Sequence, residues 1–313
     1  MGRYIAFLLP ASCLLAACGG GSSSAPPPTS TPAPSPSPSP TPVPTYTAFA
    51  DQTGAQSYVS SCAGYDTNVT PAVTIAASAF GDGLSFDLAA DKETWTITGS
   101  GLNAMFGPTP TADSDDNETI YVRQIAQGPQ VFILRSPSLN GLTVEFARAG
   151  SVAVRTTGDI EFSCVFGVPT QTNDTFPTSV GASDVDVTGF ARIIGGADAG
   201  PYDLSSSTAS LAGNPNGGDL TLSLTLAGSR DTGIPMPPQS PVDFGSFSGN
   251  GPVTISATNF GGNLSSNDLS GVTANFGGWF FGPQAIETGI SFSAEGIRTD
   301  GSRIVIHGTV IAR

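Results

Sequence analysis

The run Asp113-Ser114-Asp115-Asp116-Asn117-Glu118 is the densest set of oxygen ligands in this 313-residue chain. Asp113, Asp115 and Asn117 match the first half of a calcium loop, where alternate side-chain oxygens converge on one hard cation. Glu118 then stands where the turn glycine belongs, and Gln124 where the bidentate glutamate belongs, so the run reads first as a solvated acidic turn. His307 is the single histidine, which excludes zinc held by clustered imidazoles. A Ser-His-Asp set would have to use it, without a Gly-x-Ser-x-Gly to present the serine. Alternation alone places His307 on the solvent side of the last strand. The Gly-x-Gly pairs at 81–83, 99–101 and 249–251 lack the third glycine and following helix of a nucleotide loop. Haem ligation would fall to His307, a tyrosine, Met105 or Met236, which nothing groups, so no cofactor is expected. Glu287, near Phe281 and Ile286, leaves two readings open. Buried alone it would titrate high and act as an acid catalyst; at a tight corner its carboxylate would accept backbone N–H groups. Paired carboxylates acting on saccharide also stay open, because pairs formed in space are invisible in sequence.

Such residues need a scaffold, and the chain divides by composition. Arg3 precedes an apolar run, Tyr4 to Ala17, that is too short for a spanning helix and reads as a secretory signal, 1–17. Leu15-Ala16-Ala17-Cys18 resembles a bacterial lipobox, which implies cleavage before Cys18 and diacylation of its thiol. Gly19, where retention at the inner membrane wants Asp, favours the outer membrane. Residues 18–45 continue as an uncharged Gly/Ser/Pro tether that cannot bury a core. In polyproline II form it reaches roughly 80 Å.

From Tyr46 onward the composition is that of β-structure: Gly, Thr, Ser, Val and Phe in alternating runs, with no apolar spacing of helical period. The net charge is −14 and Lys92 is the sole lysine, so the basic footprint of a nucleic-acid binder is missing. Cys62 and Cys164 remain in an oxidising compartment and are expected to form a disulfide. The polar stretch 168–179 suggests a boundary between a strand-rich domain, 46–177, and a second domain, 178–313. In the second, Leu220, Leu222, Leu224 and Leu226 share one face with Thr and Ser on the other, the mark of a half-buried antiparallel strand. Counting VDVTGFARI, YDLSSSTASLA, DLTLSLTLAG, DFGSFSG, PVTISATN, GVTANFGGWFFG, TGISFSAEGI and RIVIHGTVIA gives about eight strands, the number whose interior side chains can fill. The fold class is therefore all-β, a handle-like domain followed by an eight-stranded antiparallel barrel.

Phe276, Gly278, Phe280, Phe281, Gly282, Pro283, Ala285, Glu287, Gly289 and Phe292 together resemble the signature of the transferrin-binding protein B β-barrel family, written around Phe-Tyr-Gly-Pro-x-Ala-x-Glu. Phe281 replaces the usual Tyr, and Ile290 the second glycine after the acid, the pattern of a divergent, single-lobe member. The resemblance implies a non-catalytic surface lipoprotein of the outer membrane that binds a protein or an iron or haem carrier. It makes the signature residues structural, with Gly282 and Pro283 turning the chain and Glu287 capping a corner. Binding then falls to loops, and 231–243, with Ile234 and Met236, is the apolar candidate. A cell-envelope enzyme and a passive envelope component are the alternatives.

Overall fold

Alternating apolar side chains and frequent turn residues fold the chain almost wholly into β-strands. The computed structural model describes residues 44–313 apart from 70, 108–113, 115–116, 156–158, 183 and 232–239. The expected signal, Cys18, most of the expected tether, Asp113, Asp115, Asp116, Ile234 and Met236 thus lie outside the described residues. No helix among those described is long and apolar enough to cross a membrane.

The strands before residue 168 are β1 (Gln56–Tyr58), β2 (Ser60–Asp66), β3 (Val73–Ile75), β4 (Ser85–Leu88), β5 (Trp95–Gly99), β6 (Leu102–Phe106), β7 (Glu118–Ile125), β8 (Gly128–Arg135), β9 (Ser138–Leu139), β10 (Leu142–Thr143), β11 (Ala147–Arg155) and β12 (Asp159–Gly167). They make a four-stranded sheet, β1-β4-β5-β6, and a six-stranded sheet, β3-β2-β12-β11-β8-β7, with β9 and β10 a small hairpin. A shared core joins the two large sheets as a sandwich: Phe86, Trp95, Ile97 and Phe106 from one meet Phe132, Phe162 and Phe166 from the other. Phe86 and Phe166 stack with centroids 4.2 Å apart. Cys62 and Cys164 sit opposite one another on β2 and β12 and form the expected disulfide.

Two of these strands escape a reading by alternation. β2 (SSCAGYD) and β11 (ARAGSVAVR) are built largely of small residues; β2 is buried on both faces over nearly its whole length and β11 over its first four residues, so period two is lost there. The run LTVEFA (142–147) alternates as a strand would but mostly does not form one. Only Leu142 and Thr143 pair, and residues 144–146 bend.

Past residue 178 come β13 (Val180–Ala182), β14 (Val185–Ile194), β15 (Gly200–Asp203), β16 (Thr208–Gly213), β17 (Asp219–Gly228), β18 (Val242–Thr254), β19 (Asn259–Asn263), β20 (Ser270–Phe281), β21 (Glu287–Ile297) and β22 (Arg303–Ala312). They form one ten-stranded antiparallel sheet, in the order β13-β16-β17-β18-β19-β20-β21-β22-β14-β15. The two strands beyond eight are the short β13 and β19; elsewhere one expected strand splits and two fuse. A turn closed by Ser207 N–H to Leu204 O splits YDLSSSTASLA into β15 and β16. DFGSFSG and the start of PVTISATN run on as β18, whose glycines let neighbouring backbone approach closely. A Cβ at Gly251 would stand 2.0 Å from the Gly261 carbonyl oxygen. The sheet curls until β15 meets the chain just past β17: Tyr202 bridges Arg230, and Asp203 N–H donates to Ser229 O. Leu220, Leu222, Leu224 and Leu226 point inward and are buried with Phe276, Phe280 and Phe292.

The sandwich and the curled sheet pack directly. The outer face of β20, β21 and β22 lies on the face of the six-stranded sheet that points away from the sandwich core, with β2, β11 and β12 in contact. The expected boundary falls between β12 and β13, yet Val43–Arg313 is one compact unit. Nor is 168–179 a solvated linker. Thr170 N–H donates to Phe280 O, and Phe176 is buried against Trp279 and Phe280.

Replacing Cys62 and Cys164 together with alanine should cost about 4–5 kcal/mol on the loop-entropy estimate for a closure of this length. Urea unfolding checks this: the midpoint should fall while the folded circular dichroism spectrum stays unchanged.

Candidate functional site

The signature segment has two working faces. Successive residues of a strand point to opposite sides, so on β20 and β21 Phe276, Gly278, Phe280, Ile290 and Phe292 fill the curled sheet. Asn275, Gly277, Trp279, Phe281, Glu287, Gly289, Ser291 and Ser293 face the other way, toward the sandwich and the stretch 168–179. Both sets are buried, apart from a half-buried Asn275. Phe281 meets Phe80 edge-on at 5.5 Å, and the Trp279 indole N–H donates to Thr170 O at 3.1 Å.

At the end of this segment the chain makes a tight reversal. Gly282 adopts φ +72°, and a Cβ there would fall 2.4 Å from the Phe146 ring, so glycine is required on two counts. Pro283 opens a one-turn 3-10 segment that ends at Ala285, and Gln284 and Ala285 both take positive φ. The reversal delivers Glu287, 1% exposed, to the bend at 144–146 of the sandwich. Its carboxylate accepts three backbone N–H groups, from Glu145 at 2.7 Å, Phe146 at 2.9 Å and Ala147 at 2.8 Å. The bend exists because those groups turn to the carboxylate instead of a neighbouring strand. Glu287 therefore satisfies backbone donors, but they belong to the other half of the molecule and not to its own corner.

Arg148 lies beside this contact. Its guanidinium donates to Val144 O and Ala147 O and sits 4.4 Å above the Phe49 ring. Burial pushes its pKa down to about 10, with Glu287 pulling it back up. Further along the seam, Ser61 and Ser291 hydroxyls meet at 2.6 Å. The Asn275 amide exchanges two hydrogen bonds with the backbone of Ala77. Glu295 accepts from Thr74 Oγ1 and pairs with Arg303, which also donates to Ala72 O. None of these partnerships is visible in the sequence. The available signal is that outward positions of β20 and β21, such as Gly277, Gly289, Ser291 and Ser293, are small and include no lysine.

His307 is 3% exposed and does not face solvent, because the outer side of β22 is covered by β12. Its Nδ1 lies 3.0 Å from Ser163 Oγ and its Nε2 3.7 Å from Glu161 Oε2. Serine, histidine and carboxylate are thus in line, as acyl-transfer chemistry demands. Ser163, however, is 1% exposed, and its strand is paired on both sides, so no substrate carbonyl can reach the hydroxyl. Burial alone would raise the Glu161 carboxyl, but His307 and Arg192 outweigh it and hold the group below the usual range. A glycosidase acid needs the opposite shift. Among the described residues no group of His, Cys, Asp and Glu is arranged to hold a metal ion.

No family model and no curated protein matches the sequence. Solved structures do resemble this one. A transferrin-binding protein B from Haemophilus parasuis shares 14% identity over 81% of this chain and 45% of its own, with a TM-score of 0.44. That of serogroup B Neisseria meningitidis shares 13%, over 82% and 43%, at 0.38. HpuA from Kingella denitrificans, solved in complex with human haemoglobin, shares 14%, over 85% and 89%, at 0.35. The chain thus spans less than half the length of the transferrin-binding protein B chains and most of HpuA.

Glu287→Gln keeps the shape but turns an N–H₂ toward backbone donors, and should cost about 2–4 kcal/mol. Urea unfolding measures it; a loss under about 0.5 kcal/mol, the range of ordinary surface changes, would contradict the role assigned. Acid should also loosen the seam. The carboxyls of Glu161 and of Glu295, where the Arg303 and Thr74 bonds outweigh burial, are held low. Their contribution is complete above the unfolded value of about 4.3 and is lost as pH falls through the lower folded values. Asp186, raised by burial, works in the opposite sense. Thermal melts should therefore hold steady from pH 8 to 6 and drop below pH 4.

Proposed function

We propose that this chain is a non-catalytic lipoprotein of the bacterial outer membrane, held by a diacylated Cys18 and displayed on the 18–45 tether. Residues 46–177 form its handle and 178–313 its barrel, and together they bind a protein partner, an iron or haem carrier in the family's manner. The observation that carries this reading is the use made of the signature segment. Phe276, Gly278, Phe280, Phe281, Gly282, Pro283, Ala285, Glu287, Gly289 and Phe292 are taken up by packing and by hydrogen bonds between the two halves. They build a rigid frame and leave ligand contact to the loops. The start of the folded region supports the tether reading. Tyr46 immediately follows the Pro-rich stretch, donates to Asp174 and accepts from Gln171 N–H, so pull on the tether is delivered to a fixed point.

Cells producing the full chain test both parts. Labelled palmitate should enter the protein and be lost, with membrane association, in Cys18→Ala; unchanged membrane association would sink the anchor. Intact cells grown under iron limitation should retain a serum iron or haem carrier, and retention of none across a panel would count against the binding role.

A further inference from the structure

A cleft of about 330 Å³ opens between the handle and the curled sheet, next to His307. That volume is within the range of small-molecule sites. Its walls are apolar, with Val131 and Ile133 from β8 facing Phe190 from β14 and Val305 from β22. Its charged lining is Arg192 and Glu161, the exposed Arg155–Asp159 ion pair and Asp231; of its polar groups, Arg192, Tyr65 and Glu161 make few or no hydrogen bonds. The Arg192 guanidinium lies 5.6 Å above the Tyr65 ring and makes no hydrogen bond or ion pair among the described residues. The Tyr65 hydroxyl, on a residue 4% exposed, likewise makes none. The Glu161 carboxylate has His307 Nε2 at 3.7 Å, beyond hydrogen-bond distance.

Polar groups are normally satisfied inside the protein, and several other arginines of this chain are. Arg148 donates to two carbonyls, Arg298 pairs with Asp198, and Arg303 pairs with Glu295. Arg192, half-buried, and the Tyr65 hydroxyl make no hydrogen bond within the protein and line the same cleft. A guanidinium presents a planar fork that fits a carboxylate, and an ionised carboxylate fits an ammonium. A ligand with a single negative charge would be opposed by Glu161, and one with a single positive charge by Arg192. The apolar walls and the Tyr65 and Phe190 rings want hydrocarbon.

We infer that this cleft binds a small zwitterion with an apolar body, the chemistry of a free aromatic or branched-chain α-amino acid. Arg192 takes the carboxylate, Glu161 the ammonium, and Phe190 with Ile133 the side chain. Asp231, where the loop 231–243 begins, also lines the cleft; the ligand inferred is a small molecule and not the protein partner.

Isothermal titration of the full chain in detergent with L-phenylalanine, L-leucine, phenylacetate and phenethylamine tests the assignment. The two amino acids should bind, and each singly charged analogue should bind about tenfold more weakly or worse, the loss of one charge-assisted bond. Arg192→Met and Glu161→Gln should each weaken phenylalanine by a similar factor, with Arg192→Lys between wild type and Arg192→Met. No heat with either amino acid, equal affinity for phenylacetate, or undiminished binding by a folded Arg192→Met would overturn the assignment. The wild-type ligand series separates these outcomes even where a variant does not fold.

Discussion

A single buried carboxylate, that of Glu287, is the contact around which the two halves of the molecule are arranged. It leaves a tight reversal on the barrel side and accepts three consecutive N–H groups on the handle side. An isolated charge in that setting would be very unfavourable. Three donors and the nearby Arg148 compensate it, and the geometry tolerates little displacement. The contact also explains the bend at 144–146, where the chain gives up strand pairing. Gly282 is bound to the same event, since any side chain there would strike Phe146.

From that point the seam spreads along β20, β21 and β22. These strands are buried on both faces, apolar side chains filling the barrel and small or polar ones meeting the handle. Close approach needs small residues: a Cβ at Gly277 would stand 2.2 Å from Ser78 O. The polar groups trapped there are matched pairwise, as buried polar groups must be, Ser61 with Ser291, Asn275 with Ala77, Glu295 with Arg303. The result is a frame that resists relative motion of its halves, suited to presenting loops and the cleft beside His307 in fixed positions.

Much of this is legible in the residues. The all-β class, the Cys62–Cys164 pairing and the inward leucines of β17 follow from composition, compartment and period two. The signature segment is recognisable as a scaffold element because its spacing is unbroken. Which surfaces the second half of the molecule buries cannot be read in the same way. Alternation puts His307 on the outer face of its strand, and it is there, but that face is covered by β12 and not by solvent. β2 and the first half of β11 escape detection for the same reason, since strands buried on both sides lose the polar face that makes alternation visible. Of the cleft residues, Tyr65 and Glu161 are cross-strand partners on β2 and β12, and the packing of handle on barrel brings Arg192 of β14 to them.

The seam makes handle and barrel one cooperative unit. The chain supplies its own reporters, because Trp95 lies in the sandwich core and Trp279 on the outer wall of the barrel, both fully buried. In Trp279→Phe only the handle fluoresces, and in Trp95→Phe only the barrel wall. In each variant, urea unfolding followed by that tryptophan should coincide with unfolding of the whole chain followed by far-ultraviolet circular dichroism. A fluorescence transition clearly displaced from the circular dichroism transition in either variant would show that the halves unfold separately and that the seam does not hold them.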